Sequence, residues 1–290
     1  GKSIMAKRIP AILRLLTLAE SLETTQIHSI AGCLASGTSL ITRRPFRAPH
    51  HTVSDVALIG GGATFQPGEI SLAHNGVLFM DELPEFSTQA MEVLRQPIED
   101  GKITISRANA SLTYPCTTMV VCAMNPCRCG YFGDPQRTCT CNAQSRTKYL
   151  ERVSGPLLDR IDIEIELPAV SYDEISGKTA AGEPSEKIRE RVNRARAFAN
   201  ERLSLAGDSI GVLNAKMSPR LLRKHCTPTK EGSELLREAF ESLGLSARGH
   251  DRVLRVARTI ADLDGDAQIG EDHIAEAIQY RSLDRKYWRR

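Results

Sequence analysis

The chain has 290 residues, 41% hydrophobic and 25% charged, the proportions of an ordinary globular protein with room for one large or two modest domains. A net charge of only +3 excludes a molecule that binds polyanions over its whole surface, so any nucleic-acid contact has to be local. No apolar stretch approaches bilayer length and no signal-like apolar region occurs. Together with scattered cysteines at Cys33, Cys116, Cys122 and Cys226, this predicts a soluble protein of the reducing cytoplasm, with no membrane partner.

Residues 2–31 read as helix, with Pro10 interrupting an apolar series from Ile4 to Leu22. Residues 40–70 are rich in Gly, Pro, Thr and Arg, with a strand-like fragment at Asp55–Ile59 before Gly60-Gly61-Gly62. The run Gly76–Glu82 is apolar without alternation and ends in two acids, which predicts a strand buried on both faces of a parallel sheet. Ser87 is the expected N-cap of a helix over 87–99. Lys102–Ser106 and Ser111–Tyr114 predict a hairpin. Thr117–Ala123 predicts a second buried strand ending at Asn125-Pro126, and Ile161–Leu167 a third, just after Arg160. Strands alternating with helices give a three-layer α/β core. Beyond about residue 170 the pattern becomes helical: Glu183–Leu205 is long and polar, and shorter helices follow at 218–225, 229–243, 247–263 and 271–280. Gly207 and Gly211 fall in the linker after the long helix.

Gly1-Lys2-Ser3 opens a helix and has the form of the end of a phosphate-binding loop, a weak signal by itself. Asp81-Glu82 at the end of an apolar strand suits one acid that supports Mg²⁺ and one that polarises an attacking water. Asn125, at the tip of the next strand, can orient that water, and Arg160 at a subunit edge can reach a neighbour's γ-phosphate. Each alone has an ordinary alternative: a helix start, strand-end acids, a capping Asn, or an Arg paired with Asp159 or Asp162. Four in this order, on matching elements, specify nucleoside triphosphate hydrolysis. Cys127-x-Cys129 and Cys139-x-Cys141 form two close pairs, able to surround a structural Zn²⁺ or to remain free thiols or a redox pair. His50, His51 and His74 are read as hydrogen-bonding or surface residues with no catalytic role. Tyr131 and Phe132 are read as packing over the cysteine knuckle.

Gly76–Glu82 with Pro84-Glu85-Phe86, Met124-Asn125-Pro126-Cys127 and Ser154–Arg160 resemble the ComM/YifB branch of the magnesium-chelatase-like AAA+ ATPases. Arg44–His51 and Gln66–Asn75 strengthen the resemblance, which runs over essentially the whole chain. It implies an α/β AAA+ P-loop core with a three-layer αβα sheet over 1–170, a connecting segment and long helix over 171–205, and a helical lid domain over 206–290. Within the core it places a helix-2 insert at about 52–68, a pre-sensor-1 hairpin at about 102–114 and the cysteine knuckle at 127–141. The expected cofactors are ATP and Mg²⁺. Gly1, Lys2 and Ser3 line the phosphates, Ser3 and Asp81 hold the metal, and Glu82, Asn125 and Arg160 are catalytic. Comparison with MCM-like motors points to Arg248 as the sensor 2 arginine and comparison with the chelatase subunit to Arg255, while Arg252 shares the helix face of Arg248.

The resemblance further implies a homo-oligomer, a hexamer, with Lys102 and Arg107 on the hairpin facing DNA in the pore and Arg43, Arg44 and Arg47 as a second basic cluster. The expected activity is DNA translocation, as in branch migration during recombination and natural transformation. The alternatives are a motor that remodels a protein and a non-catalytic fragment. Members of this branch begin with a Lon-like domain and a complete Gly-rich loop, so Gly1 is expected to fall inside that loop.

Overall fold

A computed structural model describes residues 1–62, 65–107, 110–134, 137–168 and 182–281. The chain forms two compact units, Gly1–Arg160 and, among the described residues, Ile161–Pro168 with 182–281.

The first unit opens with two helices, α1 (Lys2–Ile12) and α2 (Leu18–Ile30). Pro10 lacks the N–H that would continue the ladder, and α1 stops two residues later. The start of α2 is fixed by a capping box: Thr17 Oγ1 accepts from the Glu20 N–H at 3.2 Å, and Glu20 Oε2 accepts from the Thr17 N–H at 2.9 Å. The expected helical stretch is thus two helices with a short break.

Among the described residues, three parallel strands make the sheet: β1 (Phe46–Arg47), β4 (Val77–Met80) and β7 (Met119–Cys122), in the order β1-β4-β7. Val77 pairs with Phe46 on one side and with Met119 on the other. All four residues of β4 are buried, as its unbroken apolar run predicts. The expectation of a second fully buried strand is not met. Met119 in β7 is 43% exposed and its other residues are half-buried, because β7 has β4 on one side and stands at the sheet's edge among the described residues.

Between β1 and β4 lies a compact excursion made of α3 (Asp55–Ile59), the paired strands β2 (Gly60–Gly61) and β3 (Gln66–Pro67), and α4 (Glu69–Leu72). Asp55–Ile59 is a helix, correcting the strand reading: Ser54 Oγ accepts from the Ala57 N–H at 3.2 Å, and this cap outweighs a mildly β-prone composition. Here Gly60 and Gly68 are in backbone contact. A Cβ on Gly68 would lie 2.3 Å from the Gly60 nitrogen, so neither position has room for a side chain.

After β4 and a 3₁₀ turn (Leu83–Glu85), the expected 87–99 helix divides into α5 (Thr88–Val93) and α6 (Arg95–Asp100), with Pro97 inside the second. Ser87 caps it as expected, its Oγ accepting from the Ala90 N–H at 3.0 Å. Gly101 in the left-handed region ends α6 and turns the chain into the hairpin β5 (Lys102–Arg107) and β6 (Ala110–Pro115). Ile103, Ile105 and Tyr114 face inward, and Tyr114 donates to the Phe65 carbonyl at 2.7 Å, fastening the hairpin to the excursion. Its outer face carries Lys102 and the hydroxyl pairs Thr104–Thr113 and Ser106–Ser111. Two further helices, α7 (Ala143–Leu150) and α8 (Gly155–Leu158), close the unit.

Ile161–Leu167 is not a strand. Ile163 and Ile165 are 52% and 59% exposed, and the segment bonds within the second unit instead, through the Glu164 N–H to the Tyr280 carbonyl and the Arg281 guanidinium to the Ile161 carbonyl. The alternation of apolar and acidic residues over Ile161–Leu167 suits an edge strand and an extended segment that docks on helices equally, and periodicity does not separate them.

Among the described residues, five α-helices build the second unit: α9 (Ser185–Leu205), α10 (Pro219–His225), α11 (Lys230–Leu243), α12 (Ala247–Asp264) and α13 (Glu271–Gln279). Ser218, Thr229 and Ser246 cap three of them, and Gly244 and Gly265 end two in the left-handed region. Leu221, Leu236, Val253, Ala257, Ile269 and Ile274 lie in one apolar core. Arg258, 1% exposed, is held there by Asp262 and the carbonyls of Asp266 and Ala267. Asp208 joins α9 to α10, receiving Arg220 at 2.8 Å, Lys224 at 2.7 Å and His225 at 2.9 Å.

Candidate nucleotide site

The C-terminal ends of parallel strands are where open α/β sheets bind ligands. Here β4 delivers Asp81 and Glu82 to that end and β7 delivers Asn125, and the N-terminus of α1 meets both. Lys2 Nζ donates to Asn125 Oδ1 at 2.6 Å and to the Met124 carbonyl at 2.7 Å. Ser3 Oγ donates to Asp81 Oδ2 at 2.7 Å, while Asp81 Oδ1 accepts from the Glu82 N–H at 3.0 Å. Burial lowers the affinity of Lys2 for its proton, an effect partly offset by the charge of Asp81. Gly1 caps α1, its carbonyl accepting from the N–H groups of Ile4 and Met5 at 3.1 Å. Glu82 takes the left-handed conformation (φ 54°, ψ 47°), rare for a residue with a Cβ, and its carboxylate lies 3.4 Å from His51 Nδ1. A Ser hydroxyl beside an Asp carboxylate is an oxygen donor set of the kind that Mg²⁺ prefers.

Arg160 is 6% exposed and turned inward, paired with Glu99 on α6 at 2.7 Å and donating to the Pro156 carbonyl. The three lid arginines differ. Arg252 is ion-paired with Asp162, Arg255 donates to the Met217 carbonyl at 3.2 Å, and Arg248 is exposed on the first turn of α12. Lys102 is exposed on the hairpin, whereas the side chain of Arg107 lies outside the described residues. Of the second basic cluster, Arg44 is committed to Glu20, the Arg14 carbonyl and the Asn75 carbonyl, and Arg47 makes a bidentate pair with Glu69.

The four knuckle sulfurs lie within 4.8 Å of one another, with Cys127–Cys129 at 3.4 Å, Cys129–Cys139 at 3.6 Å and Cys127–Cys139 at 3.7 Å. Thiolates about 2.3 Å from a tetrahedral ion stand about 3.8 Å apart, so this spacing fits Zn²⁺, and none of the four is disulfide-bonded. The Tyr131 N–H pulls the Cys129 thiol down to about 5, whereas burial pushes that of Cys139 up to about 11. A Cβ on Gly130 would lie 4.0 Å from the Asn125 amide, so the knuckle backs the tip of β7. Arg137 covers the Tyr131 ring at 5.1 Å and Arg146 the Phe132 ring at 4.4 Å.

Two contacts have no signal in the sequence. His51 meets Glu82 across 31 positions, and adjacency to His50 gives no hint of which histidine faces an acid. His74 accepts from the Thr117 N–H at Nδ1 (3.1 Å) and donates from Nε2 to Glu23 (3.2 Å), tying α2 to the starts of β4 and β7.

A parallel sheet presenting this group, followed by a helical region, defines an AAA+ ATPase module. The sequence profile of magnesium chelatase, subunit ChlI, matches residues 1–175, and that of the ChlI C-terminal region matches residues 182–281. The chain belongs to the magnesium chelatase ChlI family. It is 41% identical over 284 residues to the competence protein ComM of Haemophilus influenzae, covering 98% of this chain and 54% of that protein. It is likewise 41% identical over 285 residues to YifB of Escherichia coli, covering 98% and 54%. The chain therefore spans about half the length of the curated relatives it matches.

Proposed function

We propose that this chain is the motor of an ATP-driven ring that moves DNA, with Gly1–Ser3 as the end of its phosphate-binding loop. The observation that carries the reading is the convergence of Lys2 on Asn125, 123 positions away, and of Ser3 on Asp81, 78 positions away. Nucleotide and Mg²⁺, when bound, supply the phosphoanhydride and the neutralising charge. Lys2 exchanges its present acceptors for β- and γ-phosphate oxygens, and Ser3 and Asp81 hold the metal. Asn125 orients water, and Glu82 accepts its proton as the oxygen bonds to the γ-phosphorus and the bridging bond breaks. Arg160 acts on a neighbouring subunit's nucleotide after leaving Glu99, and Arg248, exposed while Arg252 and Arg255 are engaged within their own unit, is the proposed sensor 2 arginine. The proposed core extends over 1–170, the connecting segment and long helix over 171–205 and the lid over 206–290.

Similarity to a competence protein favours DNA as the substrate, a hexamer as the assembly and the cytoplasm as the location. Among the described residues, no helix is long and apolar enough to cross a membrane. Cys127, Cys129, Cys139 and Cys141 hold a structural Zn²⁺ in this reading. The test is Glu82→Gln in the whole protein. Retained ATP binding with turnover lowered by a factor on the order of 100 to 10,000 is expected, and unchanged turnover would refute the assigned chemistry.

A further inference from the structure

We propose that the Cys127–Cys141 knuckle, closed on its metal, is a positioning element for the nucleotide site: it fixes the tip of β7, so that losing the metal slows ATP turnover while nucleotide affinity is kept. This rests on the roles given above to Asn125 and to the four cysteines.

The tip of β7 is where Lys2 rests, on the Met124 carbonyl and the Asn125 amide. Among the described residues, no helix or strand lies between the end of β7 at Cys122 and the start of α7 at Ala143. A segment of that length has no ladder of its own to decide where Asn125 points. The knuckle supplies what is missing at both ends. Cys127, fully buried, is separated from Asn125 only by Pro126, whose ring locks a backbone torsion. Gly130 turns the chain back in the left-handed region (φ 83°), its N–H donating to the Cys127 carbonyl at 3.0 Å. This turn is what sets the knuckle behind the Asn125 side chain. At the far end, Arg146 donates to the Cys141 carbonyl at 2.6 Å, and Asn142 caps α7 by accepting from the Ser145 N–H at 2.8 Å. Helix α7 then carries Tyr149, 8% exposed, whose hydroxyl receives the Asn125 N–H. The segment therefore leaves Asn125 at one end and returns to it at the other, with the sulfurs as the clamp between. The N–H groups of Tyr131 and Thr140 are turned toward the Cys129 sulfur, the kind of support that orients a metal thiolate. Four thiolates this close repel one another, so the clamp stays shut only around a cation.

The experiment uses the whole protein, stripped of zinc by a zinc-selective chelator below its melting temperature, assayed in excess Mg²⁺ and then reloaded with zinc. Zinc content, kcat, KM and affinity for a fluorescent ATP analogue are measured, with Tyr149→Phe and Asn125→Ala alongside. Stripping is expected to lower kcat by roughly tenfold to a hundredfold, to leave affinity within about threefold, and to be reversed by zinc. Tyr149→Phe keeps the metal and the ring but frees the amide, and should lower kcat in the same way by about threefold to tenfold. In Asn125→Ala, stripping should remove nothing further, because the knuckle acts through that residue. Unchanged kcat in protein shown to have lost its zinc would overturn the positioning role and spare both the zinc site and Asn125. Affinity lost together with turnover, or a loss that adds to Asn125→Ala, would also overturn it, since the knuckle would then only hold the fold. Protein isolated without zinc would remove the metal reading as well, and full turnover in Asn125→Ala would remove the role of Asn125.

Discussion

Glu82 shows how a single residue can carry information that composition does not. Its left-handed backbone turns the chain sharply out of β4 and leaves Asp81 and Glu82 pointing to different partners, Ser3 and His51. The acid pair was legible as chemistry, but the imidazole was not, because a histidine pair in a loop has many harmless explanations. His74 is the opposite case, a histidine with a purely structural task. Burial pushes its pKa below the ordinary 6.5, with Glu23 acting weakly the other way. A histidine whose folded value is depressed adds stability above its unfolded value and loses it as the pH falls below that value. The stability of the wild-type chain should therefore decline from about pH 7 to pH 5 more steeply than that of His74→Gln, so the gap between their melting temperatures narrows on acidification. A gap independent of pH, measured by thermal denaturation, would contradict the buried neutral imidazole.

The elements were legible in proportion to how local their causes are. Capped helices such as α11 and α12 and the hairpin β5–β6 announce themselves through Ser, Thr and Gly at their ends and through alternation along the strands. Asp55–Ile59 was misread because five residues hold too little periodicity, and the decisive Ser54 cap is one hydroxyl. The half-open state of β7 depends on which strands flank it, a nonlocal property with no trace in Met119–Cys122. The knuckle lies between these cases, since paired cysteines are visible in sequence but the spacing of their sulfurs is not. Elemental analysis is expected to find about one zinc per chain, and chelation should lower the melting temperature of the first unit. Cys139→Ser should lose the metal and much of the same stability. A metal-free protein with four reactive thiols and an unchanged melt would rule out the site.

For the molecule as a whole, two units of different character follow from the change in sequence pattern: strands alternating with helices up to Arg160, then helices with a common apolar core. The net charge of +3 is spread thinly, and Arg44 and Arg47, which looked like a basic patch, are internal ties. In the proposed DNA-moving ring the contact would therefore fall to few residues repeated around the ring, which is why the hairpin is the place to test it. Lys102→Ala with Arg107→Ala should abolish the stimulation of ATPase activity by DNA and leave basal turnover within about twofold. Stimulation that survives the double change would favour a protein substrate.

The grip of Lys2 on Asn125 has one more implication. The ammonium proposed to meet an incoming polyphosphate already occupies an amide two positions before Cys127, so an anion that drew the lysine away would also untie that amide. On the proposed role of Lys2, occupancy of the pocket would thereby be felt at the neighbouring cysteine loop through the swap of one hydrogen bond.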